Sequence, residues 1–409
     1  MNKSQISITA PQYVKTKIQL PSSKSICNRA LVIRALSKGN NTIENLSDCD
    51  DTSVMIKALN EMTPTINIMA AGTAMRFLTA YLSVTEGCHI ITGTERMKQR
   101  PIKVLVDALR ELGADIMYTE NEGYPPLKIT GKSLSASEIS LPGNVSSQYI
   151  SALLMIGPSL KNGLRLTLTG EIISRPYINL TLQIIKEFGA RAEWTGDNVL
   201  TVYAQKYSPV DYYIESDWSA ASYWYEIAAL SDDAEIELPG LFKNSFQGDS
   251  KVAELFSLLG VETEYSNNCV TLRKKGKVAD VMEYDFINQP DLAQTFVVTC
   301  CMLNIPFRFS GLQSLKIKET DRISALIKEL DKLGFVISQQ NDSVLYWNGE
   351  RCTPEDNPSI DTYEDHRMAM AFAPVSLKMD NLKINNPHVV SKSYPHFWEN
   401  LKSAGFTVE

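Results

Sequence analysis

Residues 109–116 read LRELGADI, and the same pattern returns as IKEFGARAE at 185–193, LFSLLGVETE at 255–264, LDKLGFVIS at 330–338 and LKSAGFTVE at 401–409. In each, an amphipathic helical stretch meets a glycine and gives way to apolar alternation. The glycines, Gly113, Gly189, Gly260, Gly334 and Gly405, are 76, 71, 74 and 71 residues apart. A glycine just past a helix supplies the left-handed cap that stops it, so each stretch predicts helix, cap and strand in fixed order.

A second series keeps the same period: AGTAMRFLTAYL, VSSQYISALLMI, DWSAASYWYEIAAL, PDLAQTFVVTCCML and EDHRMAMAFAPVSL. Thr73, Ser147, Ser219, Leu292 and His366 mark equivalent places in it, 74, 72, 73 and 74 residues apart. Apolar residues on nearly every face predict helices buried all round, inside a shell of amphipathic helices and strands. SKSICNRALVIRAL reads as the first buried helix and DDTSVMIKALNEM as the first outer one. Ser25 precedes Thr73 by only 48 residues, so the first unit is shortened by about 25. The expectation is an α/β chain of six repeated units, three per lobe. One lobe spans 22–215; the other is discontinuous, 1–21 plus 216–409, because the opening strand precedes the first unit. A ligand is expected in the cleft between lobes.

The 409 residues are enough for two or three domains, and 40 Lys and Arg against 47 Asp and Glu give a net charge of −7. That balance excludes nucleic acid or an anionic membrane as the main partner. The longest apolar runs, 152–156 and 296–303, fall far short of the roughly 20 residues that span a bilayer. The opening MNKSQISITAPQYVKTKIQL alternates like a strand and lacks a signal-peptide core, which predicts a cytoplasmic protein. The seven Cys form no CxxC pair and read as reduced core thiols. Four His without ligand spacing make a transition metal an unexpected feature.

Cations sit where solubility does not put them. Arg100 and Lys392 each lie 13 residues before a repeat glycine and Lys318 lies 16 before one, which predicts basic residues at the starts of outer helices. Lys24, Arg29, Arg76 and Arg367 stand near the starts of buried helices. A helix N-terminus is already positive, so a cation there calls for an anion. Cations about 8 Å apart repel by roughly 2 kcal/mol at an effective dielectric of about 20, a strain that a doubly anionic ligand relieves. Each cation alone is equally well a solvated or ion-paired residue. Ser146, Ser147, Gln148 and Ser174 add neutral donors at helix starts, or serve there as caps. In KIKETDR, Glu319 is either a proton-transfer group among Lys318, Asp321 and Arg322 or a first-turn cap, and Asp291 in NQPDLAQ has the same two readings.

Together LPSSKSICNRALVIRAL, AGTAMRFL, TERMKQRPI, GNVSSQYISALLM, ISRPYI, KIKETDR, YEDHRMAMAF and SKSYPHFW resemble the 5-enolpyruvylshikimate-3-phosphate synthase family, in order from about residue 20 to the C-terminus. The resemblance implies a two-lobed inside-out α/β barrel. It also implies transfer of the enolpyruvyl group of phosphoenolpyruvate to the 5-hydroxyl of shikimate 3-phosphate, with release of phosphate, in the synthesis of chorismate and aromatic amino acids. It implies no metal or organic cofactor and a monomer. On the family's pattern, Lys24, Ser25, Arg29, Ser146, Ser147, Gln148, Ser174, Asp291, Ser314 and Lys318 contact shikimate 3-phosphate. Lys24, Gly72, Arg100, Gln148, Arg322, Arg367 and Lys392 contact phosphoenolpyruvate. Asp291 takes the hydroxyl proton, Glu319 supplies one to the methylene carbon, and Lys24 and Lys318 complete the catalytic set.

The chain departs from that pattern at Ser22, Ala70 and Ser314, where the family has Gly, Asn and Asn, and in the missing hairpin of its first unit. Two rival readings stand beside it. The related enolpyruvyl transferase acting on UDP-N-acetylglucosamine carries a reactive Cys in the loop matching TERMKQRPI, and none is present there. A non-catalytic anion-binding scaffold is disfavoured by the intact Asp291, Lys318, Glu319 and Arg322.

Overall fold

A computed structural model of the chain describes residues 4–276 and 278–409; of the opening stretch read as a strand, residues 1–3 lie outside the described residues. Its contacts divide the mixed α/β chain into two compact units, Ser22–Ile214 and Met1–Pro21 with Glu215–Glu409.

In the unit Ser22–Ile214, the helices Lys24–Ser37, Gly72–Val84 and Ser147–Ile156 pack on one another. Gly72–Val84 buries every residue except Thr73 and Val84, and Ser147–Ile156 every residue except Gln148. Helices so apolar are stable only when surrounded by protein. The amphipathic helices Asp50–Glu61, Lys103–Glu111 and Arg175–Glu187 each bury one face. One four-stranded sheet runs Thr65–Asn67, Gly87–Thr92, Leu127–Gly131, Asp115–Tyr118; another runs Ala192–Gly196, Val199–Val202, Leu164–Thr169, Glu138–Pro142. Where the first unit is short, among the described residues only Ile43–Glu44 and Tyr212–Tyr213 pair, in parallel.

In the other unit, Trp218–Leu230, Ala293–Met302 and His366–Phe372 are buried along their whole lengths but for Ser219 and Met302, and they also pack on one another. Three four-stranded sheets accompany them. Gln5–Thr9 lies antiparallel between Leu382–Asn385 and Thr407–Val408, with Ile8 opposite both Leu382 and Val408. Val14–Lys17 runs parallel to Ala234–Pro239. In all five four-stranded sheets of the described residues one edge strand is parallel to its neighbour and the other pairings are antiparallel. The parallel strand needs a crossover, and a buried helix makes it in the sheets of Gly87–Thr92, Leu164–Thr169, Phe307–Ser310 and Leu382–Asn385.

Gly113, Gly189, Gly260, Gly334 and Gly405 all have positive φ, from 77° at Gly189 to 103° at Gly113, and each lies between a helix and a strand. A Cβ is strained in that region, which is why glycine recurs there. Two helices are shorter than their patterns. Val252–Ser257 has six residues and follows a 3-10 turn, and His366–Phe372 gives way to a 3-10 turn at Pro374, whose ring cannot continue an α-helix. The cysteine expectation holds for Cys27, Cys49, Cys300 and Cys301, which are buried and free, and needs correction for the others. Cys88 is exposed because it occupies an outward position between Gly87 and the buried His89; Cys269 and Cys352 are half-buried. No helix of the described residues is long and apolar enough to cross a membrane.

Candidate active site

The unit Glu215–Glu409 gathers the densest set of charges. Arg322, the first residue of the helix Arg322–Lys332, is 1% exposed and meets three carboxylates. Its Nε donates to Asp365 Oδ2 at 2.7 Å, its Nη1 to Asp291 Oδ1 at 3.2 Å and its Nη2 to Glu319 Oε2 at 3.0 Å. Burial works against the guanidinium's charge, but Asp365, Glu319 and Asp291 outweigh it and hold Arg322 above the usual arginine value. The second oxygen of Glu319 lies 3.0 Å from Lys392 Nζ. Asp291 also meets Lys318 at 3.7 Å and Arg367 Nη2 at 3.0 Å. Asp291 pulls the Lys318 ammonium up, yet burial and the nearby Arg322 and Arg367 leave it below the usual lysine value.

Asp291, Lys318, Glu319, Arg322, Arg367 and Lys392 are therefore one connected cluster. Neither acid is a helix cap. Asp321 caps the helix after KIKETDR by accepting from Ser324 N, and Ala293–Met302 has no side-chain cap, so the carboxylates of Glu319 and Asp291 are left for the cations. Ser314 lies half-buried in the 3-10 turn Gln313–Ile317, with no hydrogen bond to the cluster among the described residues.

The basic residues expected at outer-helix starts need correction. None of the three begins a helix: Lys318 is extended before the helix that Arg322 opens, Lys392 ends the 3-10 turn Pro387–Lys392, and Arg100 lies before the helix Lys103–Glu111. Pro101 disfavours helical backbone at Arg100, and Pro395 separates Lys392 from Phe397–Ser403. These cations sit on the lead-in segments, where their side chains are free of the helical face.

In the unit Ser22–Ile214, Lys24 opens its helix and lies 3.2 Å from Asp51. Arg29 is 2% exposed and spends its donors on neutral groups: Thr181 Oγ1 at 2.7 Å, the Ser25 carbonyl at 2.8 Å, Ser151 Oγ at 3.1 Å and the Tyr177 carbonyl at 3.4 Å. Burial pushes its guanidinium down to about 10. Gly72 is the meeting point of two other cations, since a Cβ there falls 2.6 Å from Nη1 of both Arg76 and Arg100. Arg76 Nη1 donates to the Gly72 carbonyl at 2.8 Å. Gln148 Nε2 donates to Thr73 Oγ1 at 3.1 Å, and Tyr149 OH donates to the Pro101 carbonyl at 2.7 Å, so the helix Ser147–Ile156 is tied to both sides of that meeting point. Ser146 caps this helix through Gln148 N, with Ser147 buried next to it. Ser174 caps Arg175–Glu187 without a side-chain hydrogen bond and at φ 55°, a strained conformation for serine that leaves its hydroxyl uncommitted to the helix.

Sequence reasoning missed Asp365, the buried partner of Arg322, although the acid two residues before Arg367 has the N-cap pattern it fulfils by accepting from Arg367 N. It also missed Asp51, which pairs with Lys24, and Tyr223 and Asp249, which reach Arg367 and the surroundings of Asp291, all from segments without a chemical motif.

The family model described as EPSP synthase (3-phosphoshikimate 1-carboxyvinyltransferase) matches residues 8–68 and 63–401. The chain belongs to the EPSP synthase family. Among curated relatives, the 3-phosphoshikimate 1-carboxyvinyltransferase of Bacteroides fragilis (strain YCH46) is 63% identical over 98% of each chain. That of Vibrio campbellii is 36% identical over 95% of this chain and 97% of its own. The solved EPSP synthase of Acinetobacter baumannii superposes with a TM-score of 0.81 over 99% of each chain at 21% identity, a likeness of fold.

Proposed function

We infer that this member of the EPSP synthase family transfers the enolpyruvyl group of phosphoenolpyruvate to the 5-hydroxyl of shikimate 3-phosphate and releases phosphate. The observation that carries the reading is the pair of carboxylates, Asp291 and Glu319, joined through Arg322 and flanked by Lys318, Arg367 and Lys392. Such a set binds anions and moves protons in the same place. Lys24, Ser25, Arg29, Ser146, Ser147, Gln148, Ser174, Ser314 and Lys318 serve shikimate 3-phosphate. Lys24, Gly72, Arg100, Gln148, Arg322, Arg367 and Lys392 serve phosphoenolpyruvate. Each lobe, 22–215 and 1–21 plus 216–409, is an inside-out α/β barrel of three repeats, the first repeat of the chain being shortened, and both lobes contribute to the two residue sets. The two anionic substrates cancel the repulsion between the cations that hold them. The enzyme works as a cytoplasmic monomer, on the family's pattern.

In the addition step, Glu319 gives a proton to the methylene carbon, and the neighbouring carbon becomes cation-like. The 5-hydroxyl oxygen bonds to that carbon while its proton passes to Asp291. A tetrahedral intermediate results. In the elimination step the bond to phosphate breaks, the departing phosphate carries off the proton from Asp291, and the methyl carbon returns a proton to Glu319. Lys392 and Arg322 favour the charged form of Glu319 in the free enzyme; the carboxylate and phosphate of phosphoenolpyruvate, held by the same cations, oppose that bias and let Glu319 carry a proton. Positioning and electrostatic stabilisation supply the rest.

Phosphate release measured with each substrate alone and with both tests the reading. Turnover is expected only with both present and without added metal; turnover with UDP-N-acetylglucosamine in place of shikimate 3-phosphate, or binding without turnover, overturns it.

Gly72→Ala tests the phosphoenolpyruvate assignment. The new Cβ must push the Arg100 and Arg76 guanidiniums aside, being 2.6 Å from both. We expect KM for phosphoenolpyruvate to rise at least about tenfold, equivalent to about 1.4 kcal/mol of lost binding, with KM for shikimate 3-phosphate changed far less. Equal changes in the two KM values would show that Arg100 does not hold phosphoenolpyruvate.

A further inference from the structure

Asp291 poses a physical difficulty as a base. Lys318, Arg322 and Arg367 lie 3.7, 3.2 and 3.0 Å from its oxygens, and three cations favour its charged form and weaken its hold on a proton. A base that takes a hydroxyl proton needs the opposite bias. The loop before Val252–Ser257 carries a further buried carboxylate, Asp249.

Gln247 fastens that loop to the start of the buried helix Trp218–Leu230. Its Oε1 accepts from Trp218 N at 3.2 Å, and its Nε2 donates to Glu215 Oε2 at 2.9 Å and to the Ser216 carbonyl at 2.8 Å. Two residues on, in the turn Gly248–Lys251, Asp249 is 4% exposed and its Oδ2 accepts the Ser219 hydroxyl. Ser219 and Tyr223 are four residues apart on one face of the helix. The Tyr223 hydroxyl accepts from Arg367 Nη1 at 3.3 Å, and Nη2 of the same guanidinium is the one on Asp291. One helix face thus carries Asp249 on one turn and the Arg367–Asp291 pair on the next.

We propose that Asp249 is a positioning residue for Asp291: a second buried carboxylate whose charge opposes the three cations and keeps Asp291 a competent base. The proposal rests on the role given to Asp291 above. Among the described residues, the groups facing Asp249 include Asp291 and Arg367, Asp217 and Ser219 at the start of the buried helix, and Tyr284. On the neighbouring helix Val252–Ser257, Glu254 pairs with Lys251. Burial and then the Asp291 charge push the Asp249 carboxyl up to about 7, against the Ser219 hydrogen bond and Arg367, with a smaller push from Asp217. Above that pH Asp249 is charged and Asp291 the stronger base; below it Asp249 is neutral and the bias is gone. Turnover therefore rises through that pH.

The test is kcat against pH for the full chain and for Asp249→Asn and Ser219→Ala, with 13C-carboxyl titration of aspartate-labelled enzyme free of substrate. The parent shows a step near pH 7, Asp249→Asn lacks it with kcat about tenfold lower at high pH and KM values within about twofold. Ser219→Ala, a mild change, moves the step to higher pH, because the hydroxyl stabilises the charged carboxylate. In the titration one resonance changes near pH 7, is missing in Asp249→Asn, and moves to lower pH in Asp291→Asn, where the like charge is gone. A step that persists in Asp249→Asn, or a resonance unmoved by Asp291→Asn, overturns the proposal. A parent enzyme that releases no phosphate overturns the functional reading instead, and the carboxyl titration then still decides whether the two acids are coupled.

Discussion

Glu319→Gln is expected to lower kcat by about 10²- to 10⁴-fold, the span associated with a lost general acid, while both substrates still bind. The amide keeps the size of the carboxyl group and leaves an oxygen for either Lys392 or Arg322, each now 3.0 Å from the carboxylate. What it loses is the proton and the negative charge. With that charge gone the two cations are less satisfied in the free enzyme, so KM for phosphoenolpyruvate should stay level or fall. A drop in kcat accompanied by a large rise in KM would mean that the glutamine has disturbed the anion site. A kcat within about threefold of the parent would mean that Glu319 only pairs with Arg322 and Lys392, and the proton for the methylene carbon would have to come from elsewhere. Steady-state kinetics together with equilibrium binding of each substrate separates these outcomes.

The parts of the fold that local chemistry controls were legible in the chain. A glycine at Gly113 or Gly334 ends its helix because of its own backbone freedom, and a run such as SAASYWYEIAAL is apolar all round wherever it is placed, so both read correctly without neighbours. The helix starts within the buried series also fall within one residue of Thr73, Ser147, Ser219, Leu292 and His366. Placement of the cations was less legible, because a count back from a glycine does not register the helix-start signals between. Pro101, Asp321 and Pro395 each shorten the following helix and leave Arg100, Lys318 and Lys392 on lead-in segments. Pairings such as Arg322 with Asp365, or Asp249 with Ser219, join residues 43 and 30 positions apart. Nothing in the local sequence marks such partners, since they are selected by the packing of helices that the repeat only predicts to exist. Arg29 shows the converse: its helix was evident, but that it would be buried among neutral acceptors was not.

Arg322→Ala should be the most damaging single change for stability as well as for turnover. The guanidinium is 1% exposed and Asp365 is fully buried, so truncation leaves a carboxylate in the interior without its ionic partner. Asp365 would keep the hydrogen bond from Arg367 N at 2.9 Å, which caps a helix but brings no positive charge. Breaking a buried pair in this way costs about 3–5 kcal/mol, more than the net worth of the pair itself, because the cost is dominated by the charge left behind. At about 2–4 °C per kcal/mol for a unit of roughly 200 residues, the melting temperature should fall by about 6–20 °C. Arg322→Lys separates charge from geometry. A lysine restores one positive charge but cannot fork toward Asp365, Asp291 and Glu319 together, so it should regain part of the melting temperature and little of the activity. If Arg322→Ala melted within about 2 °C of the parent, Asp365 would not depend on Arg322 as its ionic partner, and the three-carboxylate account of this centre would fail. If Arg322→Lys instead recovered full turnover, the fork would be dispensable, and orientation of Asp291 and Glu319 would have to come from Lys318, Arg367 and Lys392 alone.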